Sequence, residues 1–190
     1  PEPLRINHIQ VLGTHNSYHI KPFGPTIRAY DYTHEQLHVQ AEDFGVRQFE
    51  LDVWWDPRGQ LYVYHNQYDF RTNCATFEDC LNTLLTWSND NPNHVPLMIW
   101  VEPKEWVRSS TDETVVLELQ EMLEKIETEI GQWWPRDKTI TPDDVKGDAA
   151  SLREAVTTNG WPLLDDSRGK AMFILLAEDE VREAYVDTFP

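Results

Sequence analysis

The sequence contains no apolar run long enough to cross a membrane, and basic residues are scarce in it. A membrane-spanning helix needs about 20 consecutive apolar residues, a length that no stretch of this chain approaches. Its 16 Lys and Arg are outnumbered by 33 Asp and Glu, which gives a net charge of −17 at pH 7. Because so acidic a surface repels phosphate backbones and anionic lipids, we expect no nucleic-acid partner.

Cysteine is also scarce and occurs only at Cys74 and Cys80. Their spacing suits a short-loop disulfide, which would indicate an oxidising compartment, and two free thiols are the alternative. No histidine lies at ligand spacing from the pair, so a zinc site is not expected. The chain has no initiator methionine, and its opening Pro1-Glu2-Pro3 suggests a processed or trimmed start.

The chain alternates between strand and helix patterns. Hydrophobic residues make up 40% of its 190 residues, enough for one globular domain over residues 1–190. Short apolar runs predict five strands, at 9–12, 46–53, 61–64, 96–101 and 171–176. Helices are predicted at 33–45, 76–91, 112–130, 141–144, 152–156 and 179–187.

Local signals set the ends of several predicted helices. Capping boxes are expected at Thr33 with Gln36, Thr76 with Asp79, and Ser110 with Glu113, with Gly45 and Gly131 as closing residues. Pro142 stands at the first helical position after Thr141, where its missing N–H costs nothing. A tight turn is predicted at 56–59, between the second and third strands.

Strands separated by helices indicate parallel pairing with right-handed crossovers. An open doubly wound sheet and a TIM-type β/α barrel both satisfy this pattern. No glycine-rich phosphate loop follows a strand, which disfavours the nucleotide-binding open sheet. A complete barrel has eight strands in about 250 residues. We therefore expect a distorted, incomplete barrel whose C-terminal strands are missing through truncation, cleavage or a different closure.

Polar residues stand at or near the ends of four successive predicted strands, where the catalytic face of a parallel barrel lies. These residues are His15, Glu50, Asp52, His65 and Glu102. Glu50 and Asp52 are two apart, so both point to one side of their strand. Their mutual repulsion would be relieved by a divalent cation. With Asn16 and Glu102 they form an all-oxygen set that suits Ca²⁺, and a solvated strand edge is the alternative.

Two imidazoles beside a carboxylate cluster suit acid–base chemistry on a phosphodiester. We predict that His15 and His65 are the base and the acid of one displacement. The other five histidines have no such placement. His34 and His38, four apart on the first predicted helix, are expected to form a surface pair, with a metal site as the alternative. Lys104, just beyond Glu102, is a candidate contact to a substrate phosphate, with a purely structural role as the alternative.

These motifs carry a family resemblance. The segments 13–18 (GTHNSY) and 49–54 (FELDVW), together with Tyr64-His65 and Glu102, resemble the catalytic X region of Ca²⁺-dependent phosphoinositide-specific phospholipase C. The downstream stretches 141–147, 152–156 and 160–162 resemble the small secreted bacterial form, which is Streptomyces-like. The resemblance covers residues 6–176.

The resemblance implies a distorted β/α barrel that cleaves phosphatidylinositol at a membrane surface, with Ca²⁺ as cofactor. The products would be diacylglycerol and inositol 1,2-cyclic phosphate, and the protein would be secreted. The stretch 173–178 (FILLAE), which runs from the last predicted strand into the residues after it, lacks the lysines that bind extra ring phosphates in eukaryotic relatives. Plain phosphatidylinositol is therefore the expected substrate.

Two alternatives stay open at this stage. Another barrel phosphodiesterase, of the glycerophosphodiester or sphingomyelinase D type, would also pair two histidines with metal-binding acids. Glycerophosphodiesterases typically carry Arg after the first histidine, where this chain has Asn16. A non-catalytic Ca²⁺- or lipid-binding module on the same scaffold would not need two histidines. The oligomeric state is not predicted.

Overall fold

The structure is a computed structural model that describes residues 2–56, 58–104, 113–177 and 179–189. Its strands are β1 (Leu12–Thr14), β2 (Val46–Trp55), β3 (Leu61–Val63), β4 (Leu97–Lys104) and β5 (Ala171–Leu175). Its α-helices are α1 (Leu37–Asp43), α2 (Phe77–Asp90), α3 (Glu113–Trp133), α4 (Pro142–Lys146), α5 (Leu152–Thr158) and α6 (Asp179–Thr188). The five predicted strands are present, and the predicted helices are present with shifted ends.

All five strands belong to one sheet in which β2 is central. β1, β2, β4 and β5 pair in parallel in that order. β3 instead pairs antiparallel with the last residues of β2, so the expectation of parallel pairing is wrong for this strand. The reason is the turn after β2, where Gly59 N donates to Asp56 O at 2.7 Å, because so short a connection permits only a hairpin.

The apolar side of the sheet packs against helices. Along β2, Phe49, Leu51 and Val53 alternate with the acids and are fully buried. They belong to a core that includes Ile99 from β4 and Leu84 from α2. Since successive strand residues face opposite sides, burying this apolar set leaves Glu50 and Asp52 on the other face.

The first strand begins at Leu12 rather than ending there, because pairing with β2 starts only at Leu12 opposite Val46. Gly13 lies tightly against β2: a Cβ atom at this position would stand 1.9 Å from Oε1 of Gln48. β1 then ends at Thr14, which places His15 immediately after the last paired residue.

The first helix begins at Leu37, four residues later than predicted. Gln36 occupies the N-cap position without a side-chain capping bond. The predicted capping box does not form because Thr33 Oγ1 accepts a hydrogen bond from Lys21 N at 3.0 Å instead.

The third helix continues past Gly131, which was expected to close it. The apolar side continues to Trp134, which is 2% exposed, and its N donates to Ile130 O at 2.9 Å. Burial of this large side chain extends the helical bonding beyond the glycine. The predicted box at Ser110 lies outside the described residues.

Two local predictions are confirmed around α2. Thr76 and Asp79 form the expected capping box at its start. Cys74 and Cys80 form a disulfide that ties the preceding loop to the first turn of the helix. A capping box between Thr141 and Asp144 likewise opens α4.

Candidate active site

Three carboxylates meet on the face of the sheet opposite the helices. Asp52 and Glu102 are directly opposite each other in the parallel register of β2 and β4, and Glu50 lies two residues before Asp52. One oxygen from each of the three acids lies within 4.8 Å of the others. Asp52 is fully buried and Glu50 is 7% exposed, so water screens the repulsion between these carboxylates only weakly.

This burial makes the acidic cluster electrostatically costly. Burial raises the pKa of Asp52 to about 7, with Glu102 adding to the rise and Lys104 opposing it. Burial also raises the pKa of Glu50, in opposition to the nearby His15. Asp52 Oδ2 forms an ion pair with Lys104, and within the described residues neither Asp52 oxygen has a well-directed hydrogen bond. Carboxylate oxygens from adjacent acids are the donor chemistry that a hard divalent cation such as Ca²⁺ requires.

Lys104 supplies a positive charge to this cluster. Its Nζ lies 3.1 Å from Asp52 Oδ2 and 2.5 Å from Glu102 Oε1. Burial alone would lower the pKa of Lys104, but the two acids outweigh that effect and raise it. The ammonium group therefore stays charged and partly neutralises the acids.

The loop after β1, which contains Asn16, is bound to β2 at Glu50. Ser17 N donates to Glu50 O at 3.1 Å and Glu50 N donates to Ser17 Oγ at 2.8 Å, which binds the loop to β2. Asn16 is 3% exposed and has a φ of 46°, a conformation that asparagine tolerates better than most residues. Its Oδ1 accepts from the Tyr18 hydroxyl at 3.1 Å, and its Nδ2 donates to the Tyr32 hydroxyl at 3.3 Å.

Tyr18 connects Asn16 electrostatically to the acids. Burial and the neighbouring Asp52 raise the pKa of the Tyr18 hydroxyl, which therefore stays protonated and acts as a donor. The phenol is completely buried. Sequence reasoning gave neither Tyr18 nor Tyr32 a role, because a tyrosine near a histidine motif has no distinctive spacing.

His15 lies at the open side of the cluster. Its side chain is 75% exposed, and its Nε2 is 3.7 Å from Glu50 Oε1. His34 Nε2 donates to the His15 carbonyl at 3.0 Å and so helps to fix the backbone of the loop after β1. His34 precedes α1, whereas His38 lies within it, so the expected pair on one helix is wrong. The later start of α1 is the physical reason.

His65 follows β3, and the reversed direction of that strand turns it back along the edge of β2 that β1 also occupies. β1 pairs with the first half of β2, up to Phe49, while β3 pairs with its last residues from Val53 onward. β4 occupies the opposite edge of β2 along most of its length, so β1 and β3 share one edge. They run toward each other along it, so the segments that follow both strands lead toward the middle of β2.

A buried carboxylate that sequence reasoning missed contacts His65. Asp69 is 1% exposed, and its Oδ2 lies 3.0 Å from His65 Nδ1. The same carboxylate also contacts His19, whose Nε2 lies 2.9 Å from both Asp69 oxygens. The sequence gave His19 no role, and only the spacing of Asp69 four residues after His65 offered a local signal.

The sheet and its single layer of helices place this chain among the TIM-type β/α barrels, as an incomplete one. In the described part of the chain, β1 and β5 are the sheet edges and do not pair with each other. The chain belongs to the family of Ca²⁺-dependent phosphoinositide phospholipases C, whose sequence pattern it matches over residues 4–68 and 63–190. The resemblance stated from the motifs is thereby confirmed.

Solved structures support the same fold. A calcium-dependent phosphoinositol-specific phospholipase C from Pseudomonas, in its apo form, matches with a TM-score of 0.69 and 23% identity, over 96% of this chain and 62% of that one. The corresponding enzyme from Streptomyces antibioticus matches with a TM-score of 0.62 and 24% identity, over 93% and 58%. This chain thus spans about three fifths of those proteins. No curated protein matches it.

Proposed function

We propose that the chain carries the active site of a phosphatidylinositol-specific phospholipase C. The observation that supports the proposal is the buried acid cluster of β2 and β4 with His15 3.7 Å from Glu50, together with a second imidazole, His65, that is paired with the buried Asp69. Binding alone needs no pair of imidazoles, whereas transfer of a phosphoryl group needs both a base and an acid.

The reaction proposed is an intramolecular displacement at phosphorus. The inositol 2-hydroxyl oxygen attacks, the bond between phosphorus and the glycerol oxygen breaks, and inositol 1,2-cyclic phosphate and diacylglycerol result. We assign removal of the hydroxyl proton to His15 and protonation of the glycerol oxygen to His65. In this scheme the buried Asp69 carboxylate accepts a hydrogen bond from His65 Nδ1, which leaves Nε2 to carry the proton that is transferred.

Asn16, Glu50, Asp52 and Glu102 are the residues proposed to hold Ca²⁺. When bound, the cation would neutralise charge on the phosphoryl oxygens and lower the pKa of the attacking hydroxyl. We assign Lys104 to the substrate phosphate. It contacts Asp52 and Glu102 in this structure, so a cation at those acids would compete with its ammonium group for them.

The proposed substrate is phosphatidylinositol without additional ring phosphates. β5 and the two residues after it, up to residue 177, contain no lysine or arginine. Secretion is proposed from the family and from the Cys74–Cys80 disulfide, which is typical of oxidising compartments. No helix in the described part of the chain is long and apolar enough to span a bilayer, and the lipid would be met at a membrane surface.

Phosphorus NMR of phosphatidylinositol turnover by the purified chain tests the proposal, first in Ca²⁺ and then with excess chelator. Cyclic inositol phosphate that forms only in Ca²⁺ is the expected result. Release of glycerol phosphate or choline would contradict the reaction, and turnover that survives chelation would contradict the metal role of the four ligands.

The matched variants are His15→Ala at the site and His38→Ala on α1. Only the first is expected to abolish turnover, since His38 is exposed and forms no part of the site. Lipid binding without turnover, unchanged in His15→Ala, would instead identify a non-catalytic lipid-binding module.

A further inference from the structure

His19 is a buried polar residue that the reaction scheme leaves unused. Its side chain is fully buried, and its Nε2 contacts both oxygens of Asp69 at 2.9 Å. Its ring stacks on Tyr32 with a centroid separation of 4.1 Å. A polar group this deeply buried is kept only when its hydrogen bonds compensate for the lost solvation.

The Asp69 carboxylate decides where the protons lie on both imidazoles. An ionised carboxylate only accepts hydrogen bonds, so His19 Nε2 and His65 Nδ1 must both carry a hydrogen. The remaining nitrogen of His19, Nδ1, has no partner within the described residues. A hydrogen on Nδ1 would have no acceptor there, so the hydrogen-bond geometry favours the tautomer that carries its hydrogen on Nε2.

Asn66 competes for the same nitrogen of His65. Its Nδ2 lies 3.1 Å from His65 Nδ1, and an amide nitrogen only donates hydrogen bonds. Asn66 therefore favours a lone pair on Nδ1, with the proton on Nε2, whereas Asp69 favours the opposite tautomer. The position of the Asp69 carboxylate thus determines which nitrogen of His65 is bound within the protein and which one faces the substrate.

His19 holds that carboxylate in place from the far side. The bond from one donor to both oxygens fixes the carboxylate plane, so Oδ2 stays against His65. His19 is itself anchored, because its backbone N donates to Asn16 O at 2.8 Å and its ring rests on Tyr32. This chain of contacts joins His65 to the loop that carries Asn16.

We propose that His19 is a positioning residue, which locks Asp69 so that His65 keeps its proton on Nδ1 and presents Nε2 to the substrate. The inference rests on the proposed function for the role of His65 in catalysis, but the proton position can be measured without turnover. Within the described residues, His65 Nε2 has no hydrogen-bond partner, so this nitrogen is available to a substrate.

The test uses three substitutions of His19 in the full chain. His19→Phe keeps a ring against Tyr32 but removes the donor. In His19→Asn the side chain is polar but too short to reach Asp69. This variant also removes the hydrogen bond to Asp69, and it replaces the Phe variant if that one does not fold. His19→Gln places an N–H donor close to the position of Nε2 and is the rescue variant. Nitrogen-15 NMR of the His65 ring in Ca²⁺-free protein reports which nitrogen is protonated.

The expected result is protonated His65 Nδ1 in the wild type and in His19→Gln, with loss of this preference in His19→Phe and His19→Asn. In the turnover assay, kcat should fall about 10–100-fold in the last two variants, as for other supporting hydrogen bonds. KM should change by less than about threefold, since no substrate contact is removed.

An unchanged His65 tautomer in the Phe and Asn variants would overturn the proposal. Equal loss in all three variants would also overturn it, because His19 would then act through packing alone. If the wild type shows no turnover, the proposed function fails, while the NMR result still decides whether His19 positions His65.

Discussion

At the residue scale, the acidic cluster is a candidate binding site that lowers the stability of the fold. Asp52 is fully buried beside two other acids, and among the described residues its ion-pair partner is Lys104. One ammonium group does not balance three adjacent carboxylates, so the cluster destabilises the fold unless a further cation binds. The local conflict between a buried carboxylate and an otherwise consistent core is typical of a binding site.

Asp52→Asn is predicted to weaken Ca²⁺ binding by about tenfold or more, because one ligand charge is lost. The same change should raise the melting temperature of the Ca²⁺-free protein, since a buried charge is removed. Calorimetric titration and thermal unfolding measure the two effects. The control is Glu180→Gln, which removes the same charge at an exposed position on α6. It should change neither the Ca²⁺ affinity nor the melting temperature. Equal loss of affinity in both variants would mean that general acidity, not this site, binds the cation.

Glu129 offers a pH-dependent test that is independent of the site. It is 4% exposed on α3, and burial raises its pKa despite the ion pair with Lys125 at 3.2 Å. A carboxyl whose pKa is raised by folding contributes stability below its unfolded pKa of about 4.3, and this stability is lost as the pH rises through the folded value.

Glu129→Gln is therefore predicted to raise the melting temperature at pH 8, by about 2 °C. The gain should vanish near pH 4, where the wild-type carboxyl is protonated in both states. Thermal unfolding of both proteins across this range measures the difference. A variant that is less stable than the wild type at pH 8 would show that the Lys125 pair outweighs the burial of the charge.

At the element scale, two glycines with opposite surroundings make a matched pair. Gly131 is exposed within α3, and a Cβ atom added there would have no neighbouring atom within 4 Å. Gly13, in contrast, faces Gln48 across the β1–β2 pairing. Gly131→Ala should stabilise the protein by about 0.5 kcal/mol through reduced chain entropy.

Gly13→Ala should destabilise the protein by about 1 kcal/mol or more, since overpacking displaces the neighbouring side chain. Urea unfolding measures both glycine variants. Removing the obstructing side chain by Gln48→Ala should restore most of the loss in the Gly13→Ala variant. A loss that persists in the double variant would place the strain in the backbone of β1 instead.

Elements with strong local signals were predicted well. The capping box at Thr76 and the apolar side of α2 are encoded within a few residues, and the helix begins where expected. α1 was misplaced because Thr33 binds the backbone of Lys21, a partner 12 residues away that no local pattern reveals. The direction of β3 was also missed, although the short turn at 56–59 favoured a hairpin.

At the scale of the whole molecule, exposed aromatic side chains lie beside His65. Tyr68 and Phe70 flank Asp69 in sequence and are 79% and 60% exposed, and Phe23 is 80% exposed. The loops that carry them are joined, since Ile20 N donates to Arg71 O at 3.1 Å and the Arg71 guanidinium lies 4.0 Å from the centroid of the Phe23 ring. In a strongly acidic molecule, this apolar surface with a basic residue suits a neutral lipid bilayer.

The triple variant Phe23→Ser, Tyr68→Ser and Phe70→Ser is predicted to bind phosphatidylcholine vesicles about tenfold or more weakly, because exposed apolar area is removed. Vesicle sedimentation measures the change. Phe44→Ser is the control, since Phe44 is 59% exposed but directly precedes the Gly45 turn into β2, at the other end of that strand. An equal loss in the control would show that vesicle binding does not use the surface beside His65.

The sequence by itself determined the strand–helix alternation and the acids that alternate with apolar residues along β2, and it favoured the disulfide over two free thiols. These features depend on neighbours a few residues apart, so a periodic pattern reveals them. Only the tertiary structure decided that β3 runs back toward β1 and that Lys104 lies on the acids. It also brought His19 to Asp69, 50 residues later in the chain. Such contacts join segments that are distant in sequence, and their geometry follows from the packing of the whole sheet.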